Sequence, residues 1–290
     1  MHALLRKLLL ISLISLCYKV AQANQPTGEI VWFHSDFPPI SILSGPFKGQ
    51  GAADRWESFL IQNLTDFRHE QLPANTLRLH DEMKRRDNAC NPAYLKTPER
   101  EKFFIFSNPI VHILPNGLVS LRSNKALIEP FLNGRREVRL AELLSTQKLQ
   151  IAVARGRSFG HTIDTQLKAG NAVQYNASDI FSSGFLQLAN HQGVDAVVGY
   201  AIELTWSTRR FDLDPKQFWF IPVEGATELI PVHIACSRSA AGEQIIARIN
   251  DLVRAGKVTE IATHAYREWL PEDIGHFYDR QRKLPDRHGK

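Results

Sequence analysis

The segment CNPAYLKTPEREKFFIFSNP, residues 90–109, decides the fold, and Arg100 lies at its centre. A polar turn in this segment separates two apolar stretches, and a proline fixes the turn shortly before the arginine. A guanidinium group carries its donors in a rigid planar fork that matches a carboxylate. An arginine held by such a turn beside a sheet is therefore suited to binding an anion. The turn alone leaves a second interpretation open, a surface arginine paired with Glu99 or Glu101.

Length and composition indicate a globular protein. The chain has 290 residues, of which 43% are hydrophobic, and this length favours two domains of roughly 100 to 150 residues each. The formal net charge of +5 includes three cations of the predicted leader, which leaves +2 on the remainder. That charge balance argues against nucleic acid as a partner, and the basic C-terminal residues are typical of a solvated end.

The first residues have the pattern of a cleavable export signal. Two basic residues precede an apolar run over 8–16, and residues 21–23 are small at the two positions that a signal peptidase reads. We therefore predict a signal peptide over 1–23. The alternative is a lipoprotein signal ending at Cys17, but Leu16 is too large for that processing site. No other run supplies the roughly 20 apolar residues of a membrane span, so the mature protein is expected to be soluble.

Strands alternate with helices along the first part of the chain. A buried strand over 29–34 ends at a loop that begins with Phe37 and two prolines, and Asp54 is a plausible N-cap for the helix that follows. A second helix is predicted over 75–86, between two further strands. This alternation is typical of a parallel sheet with crossover helices.

A second alternating block follows a charged segment at 122–139. Its first strand, 149–154, leads into a Gly-Arg-Ser turn, and Ser158 is well placed to cap a helix that runs from Phe159 to about Lys168. Backbone N–H groups at a helix start form an anion site that the macrodipole reinforces. Plain helix capping explains the same residues without a ligand, so both interpretations stay open at this point.

Six features in register resemble the bacterial extracellular solute-binding proteins of family 3, the periplasmic amino-acid-binding type. The resemblance covers residues 24 to about 270 and rests on Phe37-Pro38-Pro39, Gly51, Thr97-Pro98-Glu99-Arg100 with Phe106-Ser107-Asn108-Pro109, Gly156-Arg157-Ser158, Val194-Asp195-Ala196-Val197-Val198 and Gly256. It implies an α/β fold of two lobes, each a mostly parallel sheet flanked by helices. Two crossover segments would join the lobes, and the second lobe would be inserted in the first.

The resemblance also implies boundaries and a location. We expect lobe one to begin at 24–118, lobe two to occupy 119–225, lobe one to resume over 226–270, and a C-terminal tail to follow at 271–290. Such a protein is periplasmic and monomeric.

Residues of the ligand site follow from the resemblance by position. Arg100 would bind the carboxylate of the ligand, and Ser158 with its backbone N–H would contact the same carboxylate from the other lobe. Phe37 would lie against the ligand, although a Phe before two prolines also packs well into a lobe. Thr97 belongs to the same site, and the serine-rich run that usually precedes it is replaced by residues 92–95.

Two departures from the family pattern concern the amino group of a ligand. Tyr200 stands where the family has the aspartate that binds an α-ammonium, and His34 stands at another acidic position. A buried ammonium without a carboxylate partner is costly. The ligand is therefore expected to be a carboxylated or otherwise anionic solute, unless Glu203, close behind Tyr200 on a predicted helix, supplies the missing carboxylate.

Two cysteines remain after the leader, Cys90 and Cys236. An exported chain meets an oxidising compartment, where a disulfide is expected, but two buried thiols are equally consistent with the residues alone. The sheet order implied by the resemblance makes the two strands neighbours, and this favours a disulfide.

The resemblance predicts a non-catalytic binding protein that delivers a small solute to an ABC permease or reports it to a membrane sensor. The alternatives are an enzyme on the same scaffold, dehydratase-like or acting on the cell wall, and a signalling partner without a ligand. An enzyme would need an acid or base in the cleft, for which His34, Glu203 and His161 are the candidates. The histidines are scattered without ligand spacing, so we predict no metal and no cofactor.

Overall fold

The computed structural model describes residues 26, 28–155, 157–170, 172–175 and 180–283. The strands are β1 (Gly28–His34), β2 (Phe67–Pro73), β3 (Ala89–Leu95), β4 (Phe104–Phe106), β5 (Val111–Ile113), β6 (Gly117–Leu121), β7 (Ile151–Ala154), β8 (Val173–Tyr175), β9 (Ala196–Gly199), β10 (Phe218–Pro222) and β11 (Ile230–Ser237). The predicted signal peptide, Gly156 and the last seven residues of the predicted tail lie outside the described residues.

Eleven α-helices occur in the described residues, several of them one turn long. They are α1 (Ala52–Asn63), α2 (Thr76–Arg85), α3 (Pro98–Glu101), α4 (Lys125–Ile128), α5 (Leu140–Ser145), α6 (His161–Gln166), α7 (Ile180–Ala189), α8 (Ala201–Arg210), α9 (Ala240–Arg254), α10 (Lys257–Arg267) and α11 (Glu272–Gln281). Short 3-10 helices lie at Arg122–Asn124, Glu129–Phe131, Leu167–Ala169 and Pro215–Gln217. Among these described segments, no helix is long and apolar enough to cross a bilayer.

The first sheet has the order β2-β1-β3-β11-β4, and β5 also pairs with β11. Strand β1 is parallel to both of its neighbours, whereas β11 runs antiparallel to β3, β4 and β5. Successive β1 residues point to opposite faces of the sheet. Trp32 therefore packs with Trp56 of α1, while Phe33 packs with Leu79 and Met83 of α2.

The second sheet has the order β10-β6-β9-β7-β8. Strand β7 is parallel to β8 and β9, and β6 is antiparallel to β9 and β10. All strand residues of β6, β7 and β9 are buried, as expected for strands that are covered on both faces. Helices α5 and α6 cover one face through residues such as Leu143 and Ile163, and α7 covers the other through Phe185 and Leu188.

Two segments connect the sheets, residues 114–116 and residues 223–229. They run beside each other, because β5 and β11, which lead into and out of them, pair antiparallel through Val111 and Val232. The predicted α/β fold of two lobes is thus confirmed. Both sheets are mixed, because β11 and β6 enter their sheets from these segments in the opposite direction to the parallel strands.

Cys90 and Cys236 form the favoured disulfide. The two residues face each other across the antiparallel β3–β11 pair, with their Cα atoms 4.1 Å apart. This spacing is close to that of a non-hydrogen-bonded pair in an antiparallel ladder. Both side chains are fully buried, so the bridge lies inside the core of the first lobe.

Part of the predicted tail is a packed helix. Tyr278 of α11 is fully buried, and its hydroxyl donates to the carbonyl of His112 in β5 at 2.7 Å. Its ring also contacts that of Tyr266 in α10. The basic residues of this segment predict a solvated end. Its apolar residues, including Ile274, instead fix it to the first lobe.

Helix α1 begins earlier than the sequence indicated. Gly51 is its N-cap, and Asp54 occupies the third helical position, from which its carboxylate accepts the Gly51 N–H at 2.8 Å. The same carboxylate accepts the N–H of Ile42 at 3.1 Å and the hydroxyl of Ser41 at 3.2 Å. Asp54 is therefore not the N-cap, as predicted, but the N3 residue of a capping box, and it also joins the helix to the loop that carries Phe37.

Candidate ligand-binding cleft

Four chain segments converge where the two lobes meet. They are the loop after β1, the connecting segment 114–116, the turn after β7 and the start of α8. Three of them follow the carboxyl ends of parallel strands, the usual place for a ligand site in open α/β sheets. The side chains that they bring together are those of Phe37, Asn116, Arg157, Phe159, Tyr200 and Glu203.

An ion pair between Arg157 and Glu203 occupies the centre of this cluster. Nη1 of Arg157 lies 2.7 Å from Oε1 of Glu203, and Nη2 lies 2.9 Å from Oε2. Nη2 also donates to Oδ1 of Asn116 at 3.1 Å. The two charged side chains are only 10% and 4% exposed. Bidentate geometry of this kind is the strongest arrangement that an arginine and a carboxylate adopt.

Glu203 also caps the start of helix α8. Its Oε2 accepts the N–H of Tyr200 at 2.7 Å and so satisfies a backbone donor at the start of α8. With the two contacts from Arg157, the carboxylate accepts three N–H donors from its own chain. Glu203 is thus engaged and does not face an open space as a free carboxylate.

Three aromatic rings surround the guanidinium group of Arg157. Its Cζ lies 5.2 Å from the ring centres of Phe159 and Tyr200 and 5.4 Å from that of Phe37, within the range of a cation–π contact. Burial acts to lower the pKa of Arg157, but the charge and hydrogen bonds of Glu203 outweigh it and raise the pKa. Arg157 is therefore a permanent cation in an aromatic environment.

Tyr200 lies beside the Arg157–Glu203 pair. Burial raises the pKa of its hydroxyl, and the negative charge of Glu203 acts in the same direction. The charges of Arg157 and Arg100 and a hydrogen bond with Asn116 oppose this rise in pKa. The net effect is a raised pKa, so the Tyr200 hydroxyl is protonated at neutral pH.

Arg100 follows Thr97, which caps the short helix α3 by accepting the Arg100 N–H at 3.3 Å. The guanidinium group lies 4.4 Å from the ring centre of Tyr94, and Nη1 donates to the carbonyl of Leu95 at 2.7 Å. Glu101 pairs with Lys96 at 2.7 Å. Within the described residues, no carboxylate forms an ion pair with Arg100.

Ser158 occupies a different position from the one that the helix-cap interpretation gave it. Helix α6 begins at His161, and its N-cap is Gly160 with φ of 99°, a backbone conformation that favours glycine. The hydroxyl of Ser158 donates to Oδ2 of Asp164 at 2.6 Å, and the Phe159 N–H donates to Oδ1 at 2.8 Å. An internal carboxylate therefore occupies the anion position of this turn.

His34 lies in a buried polar cluster between the first sheet and helix α1. Its Nε2 is 3.0 Å from Oε1 of Glu57 in α1, which also accepts the side-chain amide of Gln71 at 3.0 Å. His34 and Glu57 are 6% and 0% exposed. His34 has the same orientation as Trp32, two residues earlier in β1, and so faces helix α1.

The structure brings three of the predicted site residues together, Phe37, Tyr200 and Glu203, and it places Arg100 and Thr97 on the first-lobe side. The sequence interpretation missed Arg157 and Asn116 as site residues. The available signal for Arg157 was its position in the Gly-Arg-Ser turn. No group of three or more potential metal ligands occurs in the part of the chain that the structure describes.

Two α/β lobes joined by two segments form the architecture that this chain shares with solved solute-binding proteins. No protein-family model matches the sequence, and no curated protein matches it significantly. Among solved structures, the chain aligns with an ancestral cationic amino acid solute-binding protein, AncCDT-1, with a TM-score of 0.61 and 14% identity. That alignment covers 84% of this chain and 96% of the other.

Two further structures have the same fold. An ancestral arginine-binding protein bound to arginine aligns with a TM-score of 0.59 and 17% identity, over 86% of this chain and 100% of the other. The periplasmic VFT2 domain of BvgS from Bordetella pertussis aligns with a TM-score of 0.58 and 17% identity, over 87% and 96%. Identities this low establish the fold alone.

Proposed function

We propose that this chain is a periplasmic solute-binding protein that captures a small carboxylated or polar solute between its lobes. A binding role is supported by the similar structures, which are described as amino-acid-binding and arginine-binding proteins. We also propose that the protein delivers the solute to an ABC permease or signals its presence to a membrane sensor. The proposal also includes export to the periplasm through the signal peptide and a monomeric mature protein.

Arg100 is the residue that we propose to bind the anionic group of the ligand. It is half-buried, follows a capped turn on the first lobe and has no carboxylate partner among the described residues. A guanidinium group with donors left free is suited to binding a carboxylate.

The engagement of Glu203 supports a ligand that lacks an ammonium group. The carboxylate accepts donors from Arg157 and Tyr200, and Tyr200 itself replaces the family's acidic residue. An ammonium group buried here would have no carboxylate of its own, which is unfavourable by several kcal/mol. We therefore propose a simple carboxylate or another anionic solute in preference to an ordinary amino acid.

Closure of the lobes would place the anion between donors from both sides. Arg100 would bind it from the first lobe, and the protonated Tyr200 hydroxyl would donate from the second. Ser158 would contribute only after its hydroxyl leaves Asp164. A ligand that contacts both lobes binds the closed state more tightly than the open state, and so its binding shifts the population toward closure.

Calorimetric titration against monocarboxylates, dicarboxylates, amino acids and polyamines tests the proposal. Replacement of Arg100 by Ala should weaken the best carboxylate by at least about tenfold, because hydrogen bonds to charged groups contribute about 1.5–3 kcal/mol. Arg78→Ala is the matched control, since Arg78 is 66% exposed on α2 in the same lobe. Equal affinities for the two variants would remove Arg100 from the site. Silence across the whole panel would favour a signalling partner without a ligand.

An enzyme on this scaffold is the second candidate function, because AncCDT-1 is also described as a precursor of cyclohexadienyl dehydratase. The acid and base candidates are largely engaged elsewhere. His34 pairs with the buried Glu57, and Glu203 pairs with Arg157. We propose binding without turnover, and chromatography of the bound solute after prolonged incubation would reveal any conversion.

A further inference from the structure

The environment of Arg157 has the composition of a binding site for a free cation. Its guanidinium group is matched by a bidentate carboxylate, an amide oxygen and three aromatic rings. A guanidinium group is bound favourably by a carboxylate that pairs with it in bidentate fashion and by aromatic rings that make cation–π contacts. An ion pair on the surface needs only one partner residue, whereas the Arg157 guanidinium group has five.

The partners of Arg157 come from both lobes and from the segment between them. Phe37 belongs to the loop after β1 in the first lobe, Asn116 belongs to the connecting segment, and Tyr200 and Glu203 belong to the second lobe. Asn116 is itself 2% exposed and also donates to the Phe159 carbonyl at 3.2 Å. One cation thus contacts each part of the molecule that lobe movement would separate.

We propose that Arg157 is a built-in cationic ligand, whose guanidinium group fills a guanidinium site formed by Glu203, Asn116, Phe37, Phe159 and Tyr200 and holds the two lobes together without a solute. The site excludes external cations while the Arg157 side chain is present. Removal of that side chain exposes a site for a guanidinium ion. This inference does not depend on the anionic ligand proposed above, because its probe has the opposite charge and its readout needs no solute.

Chemical rescue tests the inference. Arg157→Ala is purified, and its Tm is measured against methylguanidinium chloride in the millimolar range, with methylammonium chloride and sodium chloride at equal ionic strength as controls. We expect a saturable rise in Tm with methylguanidinium and a half-saturation concentration at least tenfold higher for methylammonium, which lacks the planar fork. The unsubstituted protein should not respond, because its site is filled.

Two further variants separate a cross-lobe ligand from an ion pair within the second lobe. Addition of Glu203→Gln to Arg157→Ala should abolish the response to methylguanidinium. Addition of Phe37→Ala should raise the half-saturation concentration severalfold, because the first-lobe ring is then missing. Small-angle scattering should give a larger radius of gyration for Arg157→Ala, which methylguanidinium returns to that of the unsubstituted protein.

Either of two results would overturn the inference. A folded Arg157→Ala protein that responds equally to the three salts has no guanidinium site. Rescue that neither depends on Phe37 nor changes the radius of gyration assigns Arg157 to the second lobe alone. If Arg157→Ala is recovered only as aggregate, the same comparison is made as refolding yield, and equal yields with methylguanidinium and methylammonium would reject the site.

Discussion

Removal of the disulfide should destabilise the protein by an amount that follows from the chain length it closes. Cys90 and Cys236 are 146 residues apart in sequence. The entropy of closing a loop of this size in the unfolded chain corresponds to about 5 kcal/mol at 25 °C. The double variant Cys90→Ala, Cys236→Ala should therefore lose about 4–5 kcal/mol of unfolding free energy, a large part of typical domain stability.

Urea unfolding followed by circular dichroism measures this loss. The dependence of the free energy on urea should also become steeper, because an unfolded chain without the cross-link exposes more surface. Cys90→Ala alone is the matched control. It lacks the bridge but keeps one buried thiol, so its unfolding free energy should lie close to that of the double variant. A double variant within about 1 kcal/mol of the oxidised protein would refute the loop-closure argument.

Three further predictions concern other buried groups. Glu203→Gln leaves the buried cation without its counter-charge and should lower the unfolding free energy by about 3–5 kcal/mol in urea; a loss under 1 kcal/mol would show that the pair is solvated. Gly51→Ala brings a Cβ to 2.4 Å from the Ile40 carbonyl and should cost about 1–3 kcal/mol, whereas Gly134→Ala, with no neighbour within 4 Å, should leave thermal stability almost unchanged. Burial lowers the pKa of His233, so the unfolded chain binds a proton first as pH falls below about 6.5. Stability should therefore decline with acidification there, and His233→Gln should remove up to about 1.4 kcal/mol per pH unit of that slope.

The order of the elements was accessible from the sequence because it depends on local patterns. The apolar run of β1 and the helical spacing that begins near Trp56 predicted the corresponding elements to within a few residues. Capping was less accessible, because Gly51 and Gly160 satisfy backbone conditions that no side-chain pattern reveals. The disulfide required the sheet order, which the family resemblance supplied.

The composition of the cleft was harder to predict, because its contacts join distant parts of the chain. Arg157 lies 46 residues from Glu203 and 41 residues from Asn116, and no local pattern pairs them. Glu203 was recognised as a carboxylate that could serve a ligand, but its partner within the chain was not. A family motif indicates where a side chain lies, whereas the identity of its neighbour depends on the folded chain.

The discontinuous first sheet has a consequence for the order in which the molecule forms during synthesis. Strand β3 acquires its neighbour β11 only when residues 230–237 have emerged, whereas every strand of the second sheet lies between residues 117 and 222. A nascent chain therefore completes its second lobe while β3 still presents an unpaired edge. We expect nascent chains arrested before β11 to be prone to aggregation through that edge. In the full chain, the first lobe is synthesised first but completes its sheet last.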